Sequence, residues 1–196
     1  MKRLTLLAAL VAVVAVPSTA QAGCLPSTSK VFATFNDDGL YFPVANSGFE
    51  SGTTSWTLAG GAAVATGDAT TYIGTTSDAK SLSLPAGSSA TSAIVCVDPS
   101  APTMRFMLKN PGAASSKLAV DVLYTRLDGT PGTMQIAAYT AATTWAPSPI
   151  TYYYLNLLAL VSSTSTTNVA FRFRPLDTTG KWSIDDVYID PYKRCC

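Results

Sequence analysis

The sequence predicts an all-β chain folded as a sandwich of two antiparallel sheets. Three observations carry this. Apolar residues recur at every second position in several short runs, turn residues punctuate those runs, and helix-forming composition is confined to the first 22 positions. Beyond them the chain is rich in Thr, Ser, Ala, Gly and Val and holds one glutamate, Glu50, a composition that suits strands and turns.

The first segment reads as a signal peptide over residues 1–22. Lys2 and Arg3 supply a positive start, residues 4–16 an apolar stretch, Pro17-Ser18-Thr19 a break, and Ala20-Gln21-Ala22 the small residues that a signal peptidase reads before Gly23. The apolar stretch is too short for the roughly 20 residues that span a bilayer. Gln21 stands where a lipobox before Cys24 would carry leucine, so a lipid anchor is not expected. The expected location is therefore secreted, extracellular. Cleavage removes two of the thirteen basic residues and leaves eleven against twelve acidic ones. Such a near-neutral chain lacks the basic field that nucleic acid or an anionic membrane requires. The longest later apolar run, residues 152–161, is interrupted by Asn156, so the mature chain carries no expected membrane span. Its length fits one domain: residues 23–43 form an N-terminal arm and first strand, and residues 44–196 the sandwich.

Four cysteines, Cys24, Cys96, Cys195 and Cys196, meet oxidising conditions after export. Four cysteines allow three pairings. Adjacent Cys195 and Cys196 would close a strained ring and are not expected to bond to each other; Cys24 with Cys96, tying the extended arm to a mid-chain strand, is preferred, and Cys24 with the C-terminal pair is the alternative. The arm up to about residue 30 is expected to be extended and loose unless Cys24 is bonded. The chain has no histidine and no Cys-x-x-Cys spacing, which argues against zinc.

The strands follow in order. Met104, Phe106 and Leu108 alternate with Arg105, Met107 and Lys109. Leu118, Val120, Val122 and Tyr124 alternate with Asp121 and Thr125, and Val169, Phe171 and Phe173 with Ala170, Arg172 and Arg174. Turn signals lie between them: Asn36-Asp37-Asp38-Gly39, Pro85-Ala86-Gly87, Asn110-Pro111-Gly112, Asp128-Gly129 and Thr178-Thr179-Gly180. The last strand breaks phase. Trp182 and Ile184 are even-numbered and Val187 and Ile189 odd, so an extra residue near Asp185-Asp186 is needed to put all four on one face. That bulge is expected to turn one of the aspartates inward.

Three motifs, in order along residues 44–190, resemble bacterial jelly-roll carbohydrate-binding modules of the galactose-binding-like type. Asn46-Ser47-Gly48-Phe49-Glu50 with Trp56 is similar to their opening "N-x-G-F-E … W". Lys80-Ser81-Leu82-Ser83-Leu84 is similar to an early strand, and Trp182-Ser183-Ile184-Asp185-Asp186-Val187 to their closing "W-x-I-D-D-V". The overall pattern also resembles secreted actinobacterial proteins of this size. The resemblance implies a jelly-roll β-sandwich and a structural Ca2+ held by Glu50, Asp185 and the Gly48 carbonyl, with the loop at residues 78–80 as a further source of ligands. Hard oxygen donors of this kind suit calcium. The alternative is that Glu50 and Asp185 accept from backbone amides or pair with Arg or Lys.

The resemblance also implies polysaccharide or cell-wall glycan as partner. Sugar binding needs exposed aromatic faces. The candidates are Trp145, in a loop-like Thr-Thr-Trp-Ala-Pro setting, Tyr139, and Tyr153 within Tyr152-Tyr153-Tyr154. Alternation exposes either Tyr153 or its two neighbours. Trp56 and Trp182 are expected in the core. Without histidine there is no Ser-His-Asp or Cys-His arrangement, and no Gly-x-Ser-x-Gly elbow or phosphate-cradling loop is present. The expectation is a non-catalytic binding module; the alternative is a structural or adhesive surface protein without a sugar site.

Overall fold

The computed structural model describes residues 24, 26–69, 73, 77–141 and 143–192. The expected signal peptide, Cys195 and Cys196 lie outside the described residues. Short strands follow one another: β1 (Phe42–Pro43), β2 (Trp56–Ala59), β3 (Ala63–Thr66), β4 (Lys80–Pro85) and β5 (Ser89–Ser92). Next come β6 (Val95–Val97), β7 (Thr103–Lys109), β8 (Leu118–Thr125) and β9 (Pro131–Tyr139). The chain ends with β10 (Ala146–Pro147), β11 (Thr151–Tyr152), β12 (Thr167–Pro175) and β13 (Lys181–Asp190). Helical structure among the described residues is limited to two 3-10 segments, Ala33–Phe35 and Leu155–Val161. Neither is long and apolar enough to cross a membrane.

The strands form two antiparallel sheets, as the alternation predicts. The first runs β10-β7-β13-β4-β3, with β1 also on β13 and β11 on β7; the second runs β2-β5-β12-β8-β9, with β6 on β12. The predicted stripes are the facing surfaces. Phe106 of β7 meets Phe173 of β12 edge-on, with ring centroids 4.9 Å apart, and Trp56 meets both Phe49 and Phe173. Each fully buried Phe or Leu of this core contributes about 1.5–3 kcal/mol. Trp56 and Trp182 are buried as expected, and each indole N–H is satisfied: Trp182 donates to Ser116 Oγ at 2.9 Å, Trp56 to the carbonyls of Ala45 and Asn46.

The phase break in the last strand is a bulge. The register of β13 against β7 shifts between Asp185 and Tyr188, and Asp186 adopts a left-handed φ of 51°. The extra residue restores phase, and Trp182, Ile184, Val187 and Ile189 all face the core. The first strand lies beside the last: Phe42 pairs with Ile189 and Pro43 with Tyr188, and Val44 N–H donates to the Val187 carbonyl at 2.9 Å.

The arm is tied down. Cys24 and Cys96 are joined by a disulfide, and Ser29 bridges to Tyr41. Phe32, Tyr41, Ala69 and Met107 form a second apolar cluster. Met107 alternates with Phe106 and Leu108, so this cluster lies on the outer face of the first sheet. Asp37 fastens the arm there by accepting from Arg105 and, at 2.6 Å, from the Tyr41 hydroxyl. Burial opposes ionisation of Asp37, but the bonds from Tyr41, the Gly39 amide and Arg105 outweigh it and hold the carboxyl below its ordinary value.

Candidate functional site

The tyrosine run takes the phase that exposes its outer members. Tyr153 is fully buried: its ring meets Phe171 edge-on at 5.4 Å and its hydroxyl donates to the Ala101 carbonyl. Tyr139 is also buried, packed on Phe106 with its hydroxyl bonded to Thr151. The expectation that these two rings face a ligand is therefore corrected; both fill the sandwich, with their polar tips satisfied inside it. Trp145 is half-buried against the cluster under the arm, and the Lys109 ammonium lies 4.5 Å from its ring centre. One of its faces is already occupied.

Exposed aromatic surface is instead gathered by Tyr152, Tyr154 and Tyr192, which are 41%, 63% and 46% exposed. Tyr152 and Tyr154 stack with centroids 5.5 Å apart and planes 16° from parallel. Tyr192 joins them through a hydroxyl–hydroxyl bond to Tyr152, its ring 6.3 Å away. Both Tyr154 and Tyr192 sit in the left-handed region, at φ 50° and 53°. A bulky residue pays for that conformation with about 1–3 kcal/mol, and such strain concentrates at functional positions. The run stands out in the sequence, whereas Tyr192, forty residues away, carries no sequence signal.

A group of carboxylates surrounds the bulge. Asp185 and Asp186 are both buried, where one inward aspartate was expected. Asp185 accepts from the Ala69 amide at 3.0 Å and from the Asp186 amide at 2.9 Å. Glu50 accepts from the amides of Ala79 and Lys80 at 2.8 and 2.7 Å. Asp186 Oδ2, by contrast, is buried without a hydrogen-bond partner. Gly48 lies against the pair: a Cβ there would stand 3.8 Å from an oxygen of each aspartate. Burial, then the neighbouring Asp186 charge, pushes Asp185 up to about 9. Burial, with the charges of Asp78, Asp68 and Glu50, pushes Asp186 up to about 7. Among the described residues no three of these side chains converge on one point at metal-ligand spacing. Of the predicted ligand trio, Glu50 and Asp185 are engaged with backbone amides, and the donor-poor oxygen belongs to Asp186.

Comparison of the sequence with family profiles and with curated proteins gives no match. The fold has solved counterparts. A xylan-binding domain of carbohydrate-binding module family 22 superposes with a TM-score of 0.50 at 19% identity, over 81% of this chain and 99% of that domain. The N-terminal endo-1,4-beta-D-xylanase 10B of Clostridium thermocellum, comprising its CBM22-1 and GH10 modules with bound xylohexaose, gives a TM-score of 0.50 at 15% identity. That match covers 74% of this chain, which spans only 27% of the xylanase chain. At these identities the likeness establishes the fold alone: a jelly-roll β-sandwich.

Proposed function

We propose that the protein is a secreted, non-catalytic module that binds polysaccharide, with Tyr152, Tyr154 and Tyr192 as the surface on which sugar rings stack. The observation that carries this is the stacked, exposed Tyr152–Tyr154 pair, held out by a left-handed Tyr154. Rings left this exposed keep apolar area whose removal from water is favourable. The fold shared with a xylan-binding domain supports a glycan as ligand class. Export is supported by the leader-like residues 1–22 and by the Cys24–Cys96 disulfide. The test is affinity electrophoresis through gels containing soluble xylan, β-glucan or galactan. Retardation by at least one of them, relieved by Tyr154→Ala, supports the reading; unchanged mobility in all of them refutes it.

A bound Ca2+ belongs to the same reading. The unpartnered Asp186 Oδ2, backed by Asp185, Glu50 and the Gly48 backbone, offers hard oxygen donors in a region of surplus negative charge. Bound there, a divalent cation would offset the carboxylate repulsion and join the loop after β1 to β13. A second reading, a surface protein that adheres through apolar contact, draws on the exposed Leu157, Leu160 and Val161. It predicts concentration-dependent self-association with no retardation by any glycan.

A further inference from the structure

The two outer faces of the sandwich differ. Among the described residues the arm packs on the first sheet's, whereas the second sheet's leaves Thr57 and Gln135 exposed and Thr91, Arg172 and Arg174 half-buried. Across that face the strand registers align one polar row through five of its six strands: Thr57 pairs with Thr91, Thr91 with Arg172, Arg172 with Asp121, and Asp121 with Gln135. At about 4.8 Å per strand the row is roughly 19 Å long. These residues alternate with Phe171, Phe173, Val120 and Val122, which face the core, so the row points away from it.

The centre of the row is built. Arg172 donates to Asp121 Oδ2 through Nε at 2.9 Å and Nη2 at 2.8 Å. Arg174 donates to the same carboxylate through Nε at 2.7 Å and Nη2 at 3.1 Å, and its Nη2 also reaches Gln135 Oε1 at 3.0 Å. Asp121 is 1% exposed beneath them, while the arginines remain 33% and 34% exposed. Burial opposes its ionisation, but the two arginines outweigh burial and hold the carboxyl below its ordinary value. One carboxylate thus holds two guanidiniums, leaving a surplus charge of one. Folding needs no such surplus, since one partner would satisfy Asp121 and an apolar pair would serve as well. Each fork engages Nε and Nη2, and the Nη1 group of each arginine takes no part in it. Two pre-oriented planar donors in a row of hydroxyl and amide groups match a carboxylate carried on a sugar.

We infer that this face receives an acidic polysaccharide, with a uronate carboxylate seated on Arg172 and Arg174 and the flanking Thr57, Thr91 and Gln135 reading hydroxyls. The inference rests on the glycan-binding reading but uses a face distinct from the tyrosines. The experiment is affinity electrophoresis at physiological ionic strength in polygalacturonate, fully methyl-esterified polygalacturonate, dextran sulfate and neutral xylan. Wild type is compared with Arg172→Gln, Arg172→Lys and Tyr154→Ala. Arg172→Lys keeps the charge beside Asp121 and guards against misfolding, with near-UV circular dichroism as the check. The expected result is retardation by polygalacturonate, weakened about tenfold or more by esterification and by Arg172→Gln, and several-fold by Arg172→Lys. Equal retardation by the esterified polymer, equal or stronger retardation by dextran sulfate, or a folded Arg172→Lys that binds as wild type overturns it. Retardation by neutral xylan alone, sensitive to Tyr154→Ala, overturns it while leaving the proposed function standing.

Discussion

The Lys109 ammonium lies 4.5 Å above the centre of the Trp145 ring. This contact, with the packing of Trp145 against the cluster beneath the arm, makes the tryptophan a structural ring. Trp145→Ala is expected to cost about 1–3 kcal/mol of stability through lost packing and cation–π contact. Glycan retention should stay unchanged. Urea unfolding and affinity electrophoresis of the same preparation check both halves.

Calcium should raise the melting temperature and EDTA should lower it. A hundredfold excess over Kd adds about 2.7 kcal/mol, roughly 5–10 °C for a domain of this size. Asp186→Asn should remove the response and, because it deletes a buried like charge, leave the calcium-free protein no less stable. A wild type whose melting is indifferent to both reagents contradicts the calcium proposal.

The arm should come loose in acid. Asp37 has its folded pKa below the ordinary 3.8, so its stabilising contribution is fully present above that value and is lost as pH falls through the folded one. Asp37→Asn should therefore cost about 1–3 kcal/mol at pH 7, and the gap to wild type should close below pH 4. Thermal melts of both proteins from pH 2.5 to 7 give the comparison.

The Cys24–Cys96 bond closes a separation of 72 residues. Replacing both cysteines by serine should cost about 2–4 kcal/mol, chiefly through the entropy regained by the unfolded chain. Denaturant midpoints of the oxidised wild type and the double variant measure it.

Much of the architecture was legible because it is a matter of parity. The even pair Trp182 and Ile184 and the odd pair Val187 and Ile189 required an inserted residue, and the bulge at Asp185–Asp186 is that residue. The tyrosine run shows where parity stops. Tyr152-Tyr153-Tyr154 satisfies a strand in either phase, and a one-residue slip exchanges its faces. The choice is made by Phe171 and the Ala101 carbonyl, which receive Tyr153 from elsewhere in the chain. The burial of Tyr139 is beyond parity for the same reason, since its partners Phe106 and Thr151 come from other strands. Arg172, Arg174 and Asp121 were each visible on the polar side of their strands. Their union depends on the register of β12 against β8, which alternation alone does not specify.

The most direct test of glycan binding is a depletion isotherm on insoluble xylan, cellulose, chitin and peptidoglycan for wild type, Trp145→Ala and the double variant Tyr152→Ala/Tyr154→Ala. The account predicts saturable binding of wild type and Trp145→Ala to at least one of these solids, with affinity down about tenfold or more, equivalent to 1.4 kcal/mol, in the double variant. Equal binding by all three proteins, or wild type left wholly in the supernatant of every solid, would contradict it.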